Sequence, residues 1–394
     1  MGTTARGRQP MLINLPFIAF ISQILIVLVG SFPISQDFPA AFNFGDSNSD
    51  TGELTSGLGF RLRPPYGQTY FNASTGRFSD GRLIVDFLVD KMGLPFLRPY
   101  LDSVGPQSYR GGCNFAAGGS TIQKANAASI SPFSFGVQVS QFITFKSKVL
   151  QLIAQDKELE KYLPSEESFR KGLYMFDIGQ NDLAGAFYTK TLDQVLGMIP
   201  TILDLFQDGL KRLYAEGARN FWIHNTGPLG CLAQVVSLFG KDSSKVDMFG
   251  CVEDHNKAAK SFNMQLHAIF KTLPGKFPDS NFTHVDIFSI KSNLISNHST
   301  YGFDQSITTC CGYGGPPLNY DTRVNCGGTM VLNGTTVMAK TCDDSSKYVN
   351  WDGIHYTEAA NIFVASRILM GKYSDPPPPL DSGAPPPEIL FMQT

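Results

Sequence analysis

Short apolar runs alternate with longer stretches of helical spacing along this chain, and that rhythm limits its fold more than any other feature. The run at 38–44 ends in Gly45. "GLYMFDIG" (172–179), "NFWIHN" (220–225) and "NFTHVDIF" (281–288) are likewise short, β-branched or aromatic, and closed by Gly, Asn or Asp, which is how buried strands read. Between them lie three apolar stripes at helical spacing: Phe142, Phe145, Val149 and Leu152; Met198, Ile202, Leu205, Phe206 and Leu213, with Gly217 just beyond; and Phe262, Leu266, Ile269, Phe270 and Leu273. Strand–helix alternation predicts an α/β fold, a mostly parallel sheet with helices on both faces. No internal repeat interrupts it. The stretch 291–350, rich in Gly, Asn, Thr and Cys, breaks the rhythm and reads as an irregular insertion. A last helix is expected from a Thr357 cap through Ile362, Ala365 and Leu369 to Gly371. "SDPPPPLDSGAPPP" beyond it cannot continue a helix, so 375–394 reads as a solvated tail.

The N-terminus points to export. Arg6 and Arg8 precede the apolar segment "MLINLPFIAFISQILIVLVG" (11–30), and no acidic residue appears before Asp37. This is the layout of a cleaved signal peptide occupying about 1–35, with cleavage between Gly30 and Ser35. The run approaches membrane-spanning length and leaves an uncleaved anchor open; Pro16, Ser22 and Gln23 count against it. Four N-x-S/T sequons, at Asn72, Asn281, Asn297 and Asn333, offer glycan sites. Seven cysteines are present, four of them (Cys310, Cys311, Cys326, Cys342) close together and without the C-x-x-C pairs of a zinc ribbon. In an oxidising compartment they read as a disulfide-stapled excursion, Cys231 and Cys251 as a second loop closure, and Cys113 as the unpaired thiol. A net charge of −2 and no sustained basic run argue against a nucleic-acid partner.

Chemistry gathers in four places. "FNFGDSNSDTG" (42–52) leaves an apolar run through Gly45 and sets Ser47 at what would be a sheet edge, as a nucleophile or as a helix cap. "GGCNFAAGGS" (111–120) packs glycines that let a backbone N–H approach a ligand, without the Lys-Ser/Thr of a phosphate loop. "DIGQND" (177–182) places Asn181 at the end of a strand-like run, where an amide can donate to an oxyanion or simply turn the chain. "NWDGIHYTEAAN" (350–361) holds Asp352 three residues before His355, with Gly353 to bend the chain between them. Of six histidines only His355 stands beside a carboxylate at a turn; the other five have plausible structural roles, and none pairs at helical spacing as a zinc site would.

In that order these blocks resemble the GDSL-type SGNH hydrolases, and in particular the plant secreted esterase/lipase branch. "PPYGQTYF" (64–71), "GRFSDGRLIVDFL" (76–88) and "NTGPLGC" (225–231) look like further signatures of that branch, and the similarity runs from about 38 to 371. The resemblance implies a three-layer α/β/α sandwich with a flavodoxin-like parallel sheet. It implies Ser47 as nucleophile, His355 as base, Asp352 as its orienting partner, and an oxyanion hole from the Ser47 N–H, a glycine N–H and the Asn181 amide. Counted from Asn114 the glycine is Gly119, with Gly118 still open. No metal or organic cofactor is implied. A length that would suggest two or three domains is overruled, because motifs of one site spread from 45 to 355 must share one domain, here 36–374. With no G-x-S-x-G elbow, an α/β-hydrolase arrangement is disfavoured. The expected activity is hydrolysis of carboxylic esters by a secreted monomer acting on small-molecule or polymer-linked substrates. A polysaccharide deacetylase or transacylase, and a binding or defence protein with an incidental site, are the alternatives. Phe60, Tyr66, Tyr70 and Phe71 either line an apolar cleft or pack their loop onto the core.

Overall fold

The computed structural model describes residue 2 and residues 38–102, 108–124, 126 and 131–377; most of the segment read as a signal peptide and most of the Pro-rich tail lie outside these. The strands are β1 (Ala41–Gly45), β2 (Gly112–Asn114), β3 (Leu173–Asp177), β4 (Asn220–His224), β5 (Asn281–Val285), β6 (Gln305–Thr309), β7 (Cys311–Gly312), β8 (Thr329–Leu332), β9 (Thr335–Met338), β10 (Lys340–Thr341), β11 (Tyr348–Asn350) and β12 (Ser374–Asp375). The helices are α1 (Glu53–Leu58), α2 (Ile84–Lys91), α3 (Phe135–Gln155), α4 (Glu166–Lys171), α5 (Gln180–Ala186), α6 (Leu192–Ala215), α7 (Ala233–Phe239), α8 (Glu253–Phe270), α9 (Leu273–Lys276), α10 (Ile287–Ser296) and α11 (Glu358–Leu369).

The main sheet has the order β12-β5-β4-β3-β1-β2. Strands β1 to β5 run parallel, and only the edge strand β12 is antiparallel. Side chains alternate across it as the pleat requires. Phe42, Phe44, Tyr174, Phe176, Phe221 and Ile223 face one core with residues of α3, α6 and α8, while Ala41, Leu173, Met175 and Trp222 face the other with α2, α10 and α11. The result is the expected three-layer α/β/α sandwich. The first core is strongly aromatic: Phe44 alone meets the rings of Phe115, Phe135, Phe142 and Phe176 within 6.3 Å.

Several expectations need correction. Leu205 and Ile362 are exposed, 45% and 48%, because neighbours one residue apart on a helix point about 100° apart and cannot all reach the core. Strand β2 has no periodic signal, being three small residues within a glycine-dense stretch. The stretch 291–350 is not wholly irregular: α10 reaches Ser296, and the rest builds three two-stranded ladders. The chain also stays ordered into β12, so Asp375, the first residue assigned to the tail, is a strand residue.

Disulfides join Cys231–Cys251, Cys310–Cys342 and Cys311–Cys326, and Cys113 is a buried free thiol. Asn72, Asn281, Asn297 and Asn333 are all exposed. No helix among the described residues is long and apolar enough to cross a membrane.

Candidate active site

Strand β1 delivers Ser47 to the carboxyl end of the parallel sheet, where open α/β folds place ligands. Gly45 is required there. A Cβ at this position would sit 2.5 Å from the Ser49 hydroxyl and 2.7 Å from the Asp177 carbonyl. Its backbone is gripped on both sides by one side chain, Gln138, whose Oε1 accepts from the Gly45 N–H at 3.0 Å and whose Nε2 donates to the Gly45 carbonyl at 2.8 Å. After Gly45 the chain turns tightly, with the Ser49 N–H donating to the Asp46 carbonyl at 3.1 Å. Ser47 lies in this turn. It is neither a helix cap nor at a helix start, since α1 begins only at Glu53, so the dipole of that helix does not act at Ser47. The capping task belongs to Asp50, whose Oδ1 accepts from Gly52 and Glu53 and whose Oδ2 accepts from Leu54 and Gly118. Asn114 of β2 completes the frame by donating to the Ser49 carbonyl at 2.7 Å and the Thr51 hydroxyl at 2.9 Å.

Asp352 and His355 arrive from the other end of the chain. The loop between β11 and α11 folds so that the Trp351 N–H donates to the His355 carbonyl at 2.7 Å and the Asn350 side chain accepts from the Gly353 N–H at 2.7 Å. Gly353 has φ +103°, and a Cβ on it would lie 2.3 Å from the Tyr320 ring; this is the bend anticipated between Asp and His. Asp352 Oδ1 accepts the backbone N–H groups of Ile354 (3.0 Å) and His355 (2.9 Å). Its Oδ2 lies 2.7 Å from His355 Nδ1. His355 Nε2 lies 2.7 Å from Ser47 Oγ. Residues 308 apart in sequence are thereby in direct contact, and both side chains are almost wholly buried.

Electrostatics agrees with this geometry. Burial by itself would raise the Asp352 carboxyl, but the His355 charge and hydrogen bonds from His355 and Tyr66 hold it at about 2. An ionised Asp352 accepts a hydrogen bond from His355 Nδ1–H, which keeps the imidazole hydrogen on Nδ1 and leaves Nε2 to accept from the Ser47 hydroxyl. Asp46 behaves oppositely: burial and the nearby Asp177 push it up to about 7.

The other expected donors already carry contacts of their own. Gly118 is committed, its N–H donating to Asp50 Oδ2 at 2.7 Å, and Gly119 follows in the same turn with φ +71°. Asn181 stands in the first turn of α5, where its amide donates to the Ser120 carbonyl at 3.0 Å and to Asp46 Oδ2 at 3.3 Å. Among the remaining histidines, His255 is clamped between Phe187 and Phe239, with ring centroids 3.9 and 4.7 Å away, and burial lowers it to about 4. No group of three or more His, Cys, Asp or Glu among the described residues is arranged to hold a metal ion. Tyr66 is the contact that sequence reasoning missed: its phenol donates to Asp352 Oδ2 at 2.7 Å. Nothing in the spacing of "PPYGQTYF" announces a contact 286 residues away. Of its neighbours, Tyr70 and Phe71 pack against the guanidinium groups of Arg82 and Arg77 (4.0 and 4.6 Å).

On a parallel α/β/α sandwich, a hydroxyl, an imidazole and a carboxylate bonded in series are the arrangement of a serine hydrolase. Comparison with known proteins gives the family. The family model for GDSL-like lipases/acylhydrolases matches residues 42–368. A GDSL esterase/lipase of Arabidopsis thaliana is 72% identical over 365 residues, covering 92% of this chain and 96% of the relative. A second from the same plant is 57% identical over 385 residues (90% and 94%). An esterase of Hevea brasiliensis is 43% identical over 351 residues (88% of each). The chain belongs to the GDSL-like lipase/acylhydrolase family, as a plant-type GDSL esterase/lipase, and is a carboxylic ester hydrolase.

Proposed function

We propose that this is an exported esterase in which Ser47 is the nucleophile, His355 the general base and Asp352 its orienting partner. Ser47 Oγ bonds to the ester carbonyl carbon as its proton passes to His355 Nε2. The carbonyl oxygen takes up the electron pair as an oxyanion, facing the Ser47 and Gly119 N–H groups and the Asn181 amide. Of the two bonds the Asn181 side-chain amide donates at rest, the 3.3 Å contact with Asp46 is the weaker and is the one exchanged for the oxyanion. Collapse breaks the bond to the alcohol oxygen, which leaves with the proton from His355. Water then attacks the acyl-serine, gives a proton to His355, and releases the carboxylic acid as Ser47 regains its hydrogen. The substrate is a small-molecule or polymer-linked carboxylic ester, and the catalyst is a monomer. Three disulfides and four exposed sequons support an oxidising, exported setting.

The observation that carries this reading is the pair of 2.7 Å contacts running Ser47–His355–Asp352. The Ser47→Ala protein should lose at least about 10⁴-fold in turnover of short p-nitrophenyl esters while melting at the wild-type temperature. Full activity in that protein would refute the assignment.

A further inference from the structure

We propose that Tyr66 is a positioning residue of this site, its phenol holding the Asp352 carboxylate in line with the His355 imidazole; this rests on the reading of Ser47, His355 and Asp352 given above. The phenol donates to Oδ2, the same oxygen that accepts from His355 Nδ1, each at 2.7 Å. Oδ1 is pinned by two backbone N–H groups of the same turn. With those two bonds alone the turn would fix one carboxylate oxygen. Tyr66 fixes the second from outside the turn and leaves the carboxylate plane no freedom to follow a moving imidazole.

The phenol is itself immobilised. Tyr66 is 8% exposed, and its ring meets Trp351 and Phe78 edge-on at 6.0 and 6.3 Å. Phe78 in turn lies 5.1 Å from the His355 ring, so one aromatic wall touches both the acid and the base. The loop that carries Tyr66 is laced to the chain just after His355. The Ser79 hydroxyl donates to the Tyr356 carbonyl at 3.0 Å. The Glu358 N–H donates to Asp80 at 2.7 Å. Arg82 pairs with Glu358 at 2.7 Å. Tyr66 therefore reaches Asp352 from a scaffold braced against the very turn it orients.

Among the described residues, the titratable groups facing Asp352 are His355, Tyr66 and Tyr320, and His355, whose titration sets the acid limb, also faces Asp46. Burial and the Asp352 charge push the Tyr66 phenol well above its ordinary value, so it remains a donor throughout the working pH range and transfers no proton. Its effect is to hold the carboxylate and to draw charge density from Oδ2.

The test is Tyr66→Phe, which keeps the ring and deletes the hydroxyl. kcat should fall about tenfold, the size of one lost hydrogen bond to a charged group, with KM within about twofold. The acid limb of the kcat/KM–pH profile should move to higher pH, because a carboxylate no longer sharing its charge holds the imidazolium more tightly. In an Asp352→Asn background the same change should have almost no effect on kcat. 3-Fluorotyrosine placed at position 66, a stronger donor in a nearly unchanged shape, should move the acid limb the other way, and it gives a readout even if the phenylalanine variant does not fold. Wild-type kcat in Tyr66→Phe, an unmoved acid limb in either variant, or a full tenfold effect in the Asp352→Asn background would overturn the proposal. Activity retained in Ser47→Ala would instead sink the underlying triad, so the two failures are distinguishable.

Discussion

The two halves of the site are held by different means. Ser47 hangs from the second-last strand of a six-stranded sheet, backed by the Phe44–Phe115–Phe176 stack and tied down by Gln138, Asp50 and Asn114. Asp352 and His355 sit on a loop outside that sheet. There the backbone N–H groups of Cys310 and Cys311 reach the Asn350 and Trp351 carbonyls at 3.0 and 2.7 Å, and both cysteines are cross-linked within the excursion. Ser47, the proposed nucleophile, takes its rigidity from the aromatic core under the sheet. Asp352 and His355, flanked by the buried Val349, Trp351 and Tyr356, add directed hydrogen bonds and two covalent staples to the packing of those side chains. A site assembled this way fails by two separate routes, global unfolding on one side and local misalignment on the other.

After loss of the Ser47 hydroxyl itself, the largest effect should come from the half that carries Asp352 and His355. Asp352→Asn replaces an ionised acceptor with an amide whose hydrogens oppose both His355 Nδ1–H and the Tyr66 phenol. We expect kcat to fall by about 10³–10⁴-fold with a small change in melting temperature; steady-state kinetics beside calorimetry checks it, and unchanged turnover would remove Asp352 from the mechanism.

Next is the staple. Cys310→Ser combined with Cys342→Ser should cost about 2–4 kcal/mol of stability. Hydrogen exchange should show protection lost across 348–356 and kept across 41–45. Uniform loss over both segments would mean that the two halves are not held independently.

The smallest effect concerns pH, where the halves carry opposite signs. Asp352 stands at about 2 in the folded state, below its unfolded value near ~4. Its contribution of roughly 2 kcal/mol is present above pH ~4 and is lost as pH falls toward ~2. Asp50, raised to about 6 by burial against the pull of its backbone donors, does the reverse: its folded form binds the proton more tightly, so stability is greatest below pH ~4 and declines as pH rises toward ~6. Urea titrations across this range should show Asp352→Asn flattening the acid-side decline and Asp50→Asn flattening the other slope.

How far each half was readable follows from the same contrast. The core strands carried their own signal, since "GLYMFDIG" and "NFWIHN" are buried on both faces and read as unbroken apolar runs. The Asp–Gly-x-His turn was readable because its partners are three residues apart. Contacts set by tertiary approach were not. Strand β2 is three residues long and borrows its conformation from β1. Asp50 and Asn114 frame the Ser47 turn through partners that no spacing rule reveals. Tyr66 meets Asp352 only because the loop at 60–82 folds across the C-terminal helix. The helix-cap alternative for Ser47 failed because Asp50, three residues on, accepts the first N–H groups of α1 instead.

Covalent labelling reads out directly whether Ser47 is activated by His355. A fluorophosphonate probe incubated with the purified protein, followed by peptide mass mapping, reports which hydroxyl is activated. One adduct is expected, on the peptide holding Ser47, formed in the wild-type protein and abolished by His355→Ala. An adduct on another residue, or an unmodified Ser47 in a protein whose ester hydrolysis the probe has stopped, would contradict it.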